Sequence, residues 1–244
     1  MSGTFIAANW KMYKNRAEAE AFFRAWRLLP APRGREIAFF PPFTLLGVVK
    51  ELLPSGQALG GQNLHEAAEG AFTGEVSAPM LSDAGCSYVL VGHSERRHVF
   101  GESDNRVAKK FSASMNGGLR PVLCVGEKLD EREAGRTLEV VLGQLASALG
   151  LLPPAQGFDV AYEPVWAIGT GKVAKASDAS EVHLAIIEWL KKRGAGKEAR
   201  VLYGGSVKPD NAAELLAADG VQGVLVGGAS LEPTSFHKIA TAGM

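Results

Sequence analysis

The sequence predicts an α/β protein folded as one closed (β/α)8 barrel, a single domain spanning residues 1–244. Three observations carry this. Eight short apolar runs recur, beginning near Phe5, Ile37, Ala58, Tyr88, Val122, Val160, Val201 and Val224. They do not alternate with polar residues, as expected of parallel strands buried on both faces. Amphipathic helical patterns lie between them, with no linker or composition break. An open doubly wound sheet is the alternative. The even size of eight units within about 250 residues favours closure.

The elements follow in order. After the run at Phe5, Asn15-Arg16-Ala17-Glu18 reads as a capping box, opening a helix with the stripe Phe22, Phe23, Trp26 and Leu29. The third run, at Ala58, is too weak to be read as a strand in isolation. Ser103 caps a helix carrying Val107, Phe111 and Met115, which Gly117-Gly118 stops. Leu138, Val141, Leu145 and Leu149 form the next stripe, then Val182, Ile186 and Leu190, and Leu215-Leu216 belong to a short helix near the end.

Composition narrows the function. Lys plus Arg equals Asp plus Glu at 26 each, so no basic bulk favours nucleic acid or an anionic membrane. An anionic ligand must then be drawn by a local cation or by backbone donors. The two cysteines, Cys86 and Cys124, are expected as buried thiols rather than a disulfide framework. The apolar run Phe5–Ala8 is too short for a signal sequence, and no stretch approaches the ~18 apolar residues of a membrane span. The expected location is cytoplasmic.

The polar residues fall just after the strands: Asn9-Trp10-Lys11, Gln62-Asn63, Gly92-His93-Ser94-Glu95, Gly126-Glu127, Glu163-Pro164, Gly204-Gly205-Ser206 and Gly227-Gly228. In a barrel all strand C-ends meet at one face, so these groups converge. Glu163, at a strand exit beside apolar walls, is a candidate general base. As a lone carboxylate it reads more readily as a rim ion pair. The segment after it shifts the balance, because Pro164 to Lys172 combines apolar residues with a glycine-rich tip, the composition of a closing lid. His93 opens a helix, whose N-terminus disfavours a positive imidazole, so it is expected neutral and able to donate from one ring nitrogen. Lys11 is a cation at the barrel mouth. The Gly pairs after strands seven and eight suit phosphate, since they let backbone N–H groups approach an anion. Gly169-Thr170-Gly171-Lys172 is not a phosphate-binding P-loop, because Val173 stands where Ser or Thr is required. No metal-ligand spacing occurs, and neither a metal nor a cofactor is expected.

Ala8-Asn9-Trp10-Lys11-Met12, Gly70 to Glu75, Val91 to Arg97, Ala161 to Lys172 and Tyr203 to Val207 together resemble the triosephosphate isomerase family, in order along essentially the whole chain. The resemblance implies a TIM barrel that interconverts dihydroxyacetone phosphate and D-glyceraldehyde 3-phosphate in glycolysis and gluconeogenesis. It implies that Glu163 moves the carbon-bound proton and that neutral His93 polarises the carbonyl and shuttles protons between the enediolate oxygens. Lys11 then stabilises negative charge, and Asn9 helps to hold the substrate. Phosphate falls to Gly169, Ser206, Gly227 and Gly228, and Glu95 stands behind the reacting groups. The resemblance further implies a homodimer through the loop 62–76 and an active-site lid at 164–174.

One departure is Lys175-Ala176, where relatives often carry Thr-Pro; Ser177 is expected to cap the following helix. Asp159 is also more polar than a strand base suggests. Two rival readings are an aldolase-type barrel with a Schiff base on Lys11 and an inactive sugar-phosphate binder.

Overall fold

All eight apolar runs become strands of one closed barrel, paired in chain order, with β8 returning to β1. The structure, a computed structural model, describes residues 3–150, 157–167, 175–195 and 199–244. The strands are β1 (Thr4–Asn9), β2 (Arg35–Phe40), β3 (Ala58–Gly61), β4 (Tyr88–Val91), β5 (Arg120–Val125), β6 (Asp159–Tyr162), β7 (Arg200–Tyr203) and β8 (Gly223–Val226). Every pairing is parallel.

Successive side chains on a strand point to opposite faces, and the core divides accordingly. Phe5, Ala7, Ala38, Phe40, Tyr88, Leu90, Val122, Cys124, Ala161, Leu202 and Leu225 fill the barrel. Their neighbours, such as Ile6, Ala8, Phe39, Val89 and Val160, pack outward against the helices. The weak third run is a strand because of its glycines. A Cβ on Gly60 would lie 2.3 Å from the Phe40 ring, and one on Gly61 would lie 2.8 Å from Leu81. Bulky neighbours occupy the space that side chains of β3 would need.

The capping box forms as read: Asn15 Oδ1 accepts from Glu18 N at 3.0 Å and Glu18 Oε2 accepts from Asn15 N at 2.7 Å. Its helix, Arg16–Trp26, ends before Leu29, which packs partly buried beyond it. Phe22, Phe23 and Trp26 meet Trp10 and Phe39 in an aromatic cluster. Each such ring contributes roughly 1.5–3 kcal/mol over an exposed one. The cluster also draws Trp10 outward, and alternation then turns Asn9 and Lys11 toward the barrel mouth.

Ser103 caps Asp104–Asn116, and the later stripes become Thr137–Leu149, Ala176–Lys192 and Ala212–Ala217. Short helices without a sequence stripe, among them Leu46–Leu52, Ala78–Asp83 and Pro233–Ala240, complete the outer layer. Ser177 is not the cap expected: Lys175 occupies that position, and Asp178 Oδ2 accepts its N–H at 3.2 Å. The carboxylate one turn on satisfies the orphan donor, so no hydroxyl is needed.

Asp159 finds its reason at the barrel floor. Its Oδ2 lies 2.8 Å from Arg120 Nε and its Oδ1 2.8 Å from Arg200 Nε. Arg200 also reaches Glu36 at 2.5 Å and stacks over Phe5. Burial alone would raise the Asp159 pKa, but the two guanidinium groups outweigh it and hold the carboxyl below its ordinary value. Cys86 and Cys124 are buried free thiols, and burial pushes Cys86 up to about 12. Among the described residues no helix is long and apolar enough to cross a membrane.

Candidate active site

The strand exits enclose a cavity of about 320 Å³. Its wall includes Asn9 and Lys11 after β1, His93 after β4, Glu163 after β6, Ser206 after β7, and Gly227 and Gly228 after β8. Seven of the eight residues singled out from the sequence thus share one cavity. The eighth, Gly169, lies outside the described residues, as do residues 168–174 of the expected lid.

Glu163 is 2% exposed. Its Oε1 lies 3.0 Å from His93 Nε2, and its Oε2 accepts the Ser94 N–H at 2.8 Å. Close strand exits hold it there. A Cβ on Gly126 would fall 1.7 Å from the Glu163 carbonyl oxygen, and one on Gly204 would fall 2.9 Å from Glu163 Cγ. Burial tends to raise the carboxyl pKa, but His93 and the Ser94 amide overcome it, and Lys11 adds to them, so the value is lowered.

His93 is the N-cap of the helix Ser94–His98, as its position at a helix opening predicted. The Glu95 N–H approaches its Nδ1 at 3.3 Å, which makes Nδ1 an acceptor and places the ring proton on Nε2. Burial disfavours a charged ring most strongly, while Glu163 beside it favours one and, with Glu95, raises the pKa above the ordinary value. That rise comes chiefly from the contact with Glu163. A second proton would have to sit on Nδ1, facing the Glu95 N–H, so the backbone geometry argues for a neutral ring once Glu163 turns away. Asn9 Nδ2 lies 3.3 Å from His93 Nε2, which places the Asn9 amide beside the imidazole.

Lys11 adopts φ of 51°, one of two non-glycine residues with positive φ among those described. Its N–H donates to Asn9 Oδ1 at 3.0 Å and its Nζ lies 2.5 Å from Glu95 Oε1. The side chain runs past Gly227, where a Cβ would meet Lys11 Cε at 3.4 Å. One cation thus spans the space between the His93–Glu163 pair and the glycine end. Lys208 lines that end as well, a second cation that sequence reading missed because it lies beyond the Gly-Gly-Ser motif rather than on a strand tip.

Glu127, noted after β5 without a role, is wholly buried; its Oε1 accepts from Trp166 Nε1 at 2.9 Å and Tyr162 Oη at 3.1 Å. It ties the short helical turn Val165–Ala167, which opens the expected lid, to the barrel. Gln62, which follows β3, reaches the Lys11 carbonyl with its amide. Among the described residues no group of three or more His, Cys, Asp or Glu side chains is arranged to hold a metal ion.

The chemistry this cavity supports is a carboxylate base facing a hydrogen-bond donor, with a cation beside them and glycine-rich backbone at the far end. Comparison with known proteins agrees. Residues 4–243 match the triosephosphate isomerase family. The triosephosphate isomerase of Nitratidesulfovibrio vulgaris (strain DP4) is 52% identical over 247 residues, covering 97% of this chain and 98% of that one. That of Aquifex aeolicus (strain VF5) is 51% identical over 240 residues, covering 96% and 97%. That of Chlamydia muridarum (strain MoPn / Nigg) is 46% identical over 242 residues, covering 96% and 89%. With the barrel, the cavity and full-length similarity in agreement, the chain belongs to the triosephosphate isomerase family and interconverts dihydroxyacetone phosphate and D-glyceraldehyde 3-phosphate, a step of glycolysis.

Proposed function

We propose that Glu163 is the base of this isomerisation, His93 its electrophile, and Lys11 with Asn9 the groups that hold and neutralise the enediolate. The observation that carries the reading is the convergence of these four residues, from three strand exits, on the wall of one cavity. Glu163 takes the proton from the carbon beside the carbonyl and returns it to the neighbouring carbon. A carbanion next to a carbonyl forms only if its charge passes to oxygen and is met there by fixed donors. His93 Nε2–H and the Lys11 ammonium supply those donors. Glu163 must first leave Ser94 and His93 for the substrate carbon, so substrate displaces the contacts that hold the free base. Ser206, Gly227, Gly228 and Gly169 grip the phosphate, and the 164–174 segment closes over it, excluding water that would quench the intermediate.

A Schiff base on Lys11 is disfavoured by its 2.5 Å contact with Glu95, since that chemistry needs a free amine. Glu163→Gln is expected to lower kcat by at least ~10³-fold, in the upper range of general acid–base effects, while inorganic phosphate still binds. Near-normal turnover would remove the base assignment.

The same reading includes a homodimer through the loop 62–76. It is supported by large apolar side chains that one chain leaves in water: Met12 is 93% exposed, and Tyr13, Phe72, Val99 and Phe100 are also exposed. Residues of the loop itself, with Met80, line a small hollow, of a kind that a partner's side chain fills.

A further inference from the structure

We propose that Gln62 is a positioning residue for Lys11, acting through the lysine backbone. The proposal rests on the reading of Lys11 as the cation that meets substrate.

A lysine at φ of 51° is strained, because its Cβ crowds the following carbonyl, and such a conformation persists only when its surroundings over-determine it. Three contacts do so. Asn9 Oδ1 accepts the Lys11 N–H, Glu95 takes Nζ, and Gln62 Nε2 donates to the Lys11 carbonyl at 2.8 Å. The first and third fix the two peptide planes that define the lysine's conformation. The second fixes only the flexible end of the side chain. Asn9 and Glu95 both lie next to or within the reacting group, whereas Gln62 lies outside the cavity wall and its hydrogen bonds there go to backbone carbonyls.

Gln62 is built to hold this position. Its amide nitrogen carries two protons and donates one to Lys11 O and one to Phe40 O, each at 2.8 Å. Phe40 O also accepts the Trp10 N–H at 3.1 Å. The exits of β1, β2 and β3 are therefore clasped by one side chain. Only a side chain with two donors on one atom at this reach satisfies both carbonyls; a carboxylate would face them with acceptors alone. The clasp has a firm base, because the adjacent Asn63 accepts from the buried Lys110 at 2.8 Å. If Gln62 is lost, Phe40 O keeps Trp10 N, but the Lys11 carbonyl loses this partner. The lysine backbone then relaxes toward ordinary negative φ, and the stem carrying Nζ swings away.

A double-mutant cycle tests this. In the full-length enzyme, Gln62→Met is expected to lower kcat/KM by about ten- to a hundredfold, the scale of an ångström-sized displacement of a reacting group. In a Lys11→Met background the same change is expected to cost no further activity, while it lowers the thermal midpoint equally in both backgrounds. Equal fractional activity losses in both backgrounds, or no loss in the single variant, would overturn the positioning role. If Lys11→Met itself turned over almost normally, the reading of Lys11 would fall, whatever Gln62 does. Gln62→Asn, which keeps the amide but shortens its reach, serves the same cycle with the same expected pattern if the Met variant does not fold.

Discussion

At the scale of single residues, the site depends on protons being in the right places. Glu163 and His93 shift each other, the carboxyl down and the imidazole up, because each is the nearest charge to the other in a buried space. A lowered carboxyl pKa keeps the proposed base ionised across the neutral range. The acid limb of kcat/KM due to Glu163 is therefore expected below the ordinary glutamate value of ~4.3; a limb that moves with Glu163→Asp checks the assignment. The imidazole's rise depends chiefly on Glu163 and should shrink when a phosphate-bearing enediolate mimic draws the carboxylate away. In that complex, ¹⁵N NMR should find one proton on His93, at Nε2, from pH 6 to 8. A doubly protonated ring in the complex would reject the neutral electrophile. His183 gives a reference for a neutral buried imidazole: burial lowers its pKa to about 4.

At the scale of elements, the site exists because adjacent strand exits come closer than side chains allow. The chemistry-bearing residues stand beside glycines for this reason. Gly126 is the sharpest case, since its Cβ would overlap the Glu163 carbonyl oxygen at 1.7 Å. Gly126→Ala must push the exits of β5 and β6 apart, displacing the base. A fall in kcat/KM of ~10²-fold or more is expected, larger than any change from Gly143→Ala, whose Cβ meets nothing within 4 Å. Much of this was legible in the sequence: the eight runs, the capping box, the Ser103 cap and the polar residues after each strand. Short helices such as Leu46–Leu52, Ala78–Asp83 and Pro233–Ala240 were not, because six to eight residues carry too few turns for a stripe, and their stability comes from packing rather than propensity. The Lys175 cap was missed for a related reason. Capping there comes from a carboxylate three residues on, and a search for a hydroxyl passes over it.

At the scale of the whole molecule, two surfaces matter at opposite ends of the barrel. At the floor, Asp159 joins Arg120 and Arg200 across β5, β6 and β7. Its folded pKa is depressed, so its contribution is present above the unfolded value of ~3.9 and is lost as pH falls through the folded value. Asp159→Asn is expected to lose about 3–5 kcal/mol at pH 7, since the buried Arg200 and the partly buried Arg120 lose their shared partner. Its stability should then fall less steeply than that of the parent on acidification from pH 5 to 2, as urea unfolding at each pH would register. At the mouth, exposed Met12 and its apolar neighbours are the proposed dimer surface. Met12→Asp is expected to yield monomers by sedimentation and to lower turnover sharply, because Met12 follows directly on Lys11.

The sequence by itself determined the barrel, the family and which polar residues stand at the strand exits, since short apolar runs and the polar residues placed after them are local signals. Tertiary structure alone decided how those residues address one another. Glu163 rests on Ser94 and His93, Lys11 is held in a strained conformation by Asn9 and Gln62, and Asp159 is neutralised by two arginines from neighbouring strands. The most distant of these partners, Glu163 and His93, lie 70 positions apart in sequence. Closure of the barrel sets their distances, and no spacing along the chain encodes them.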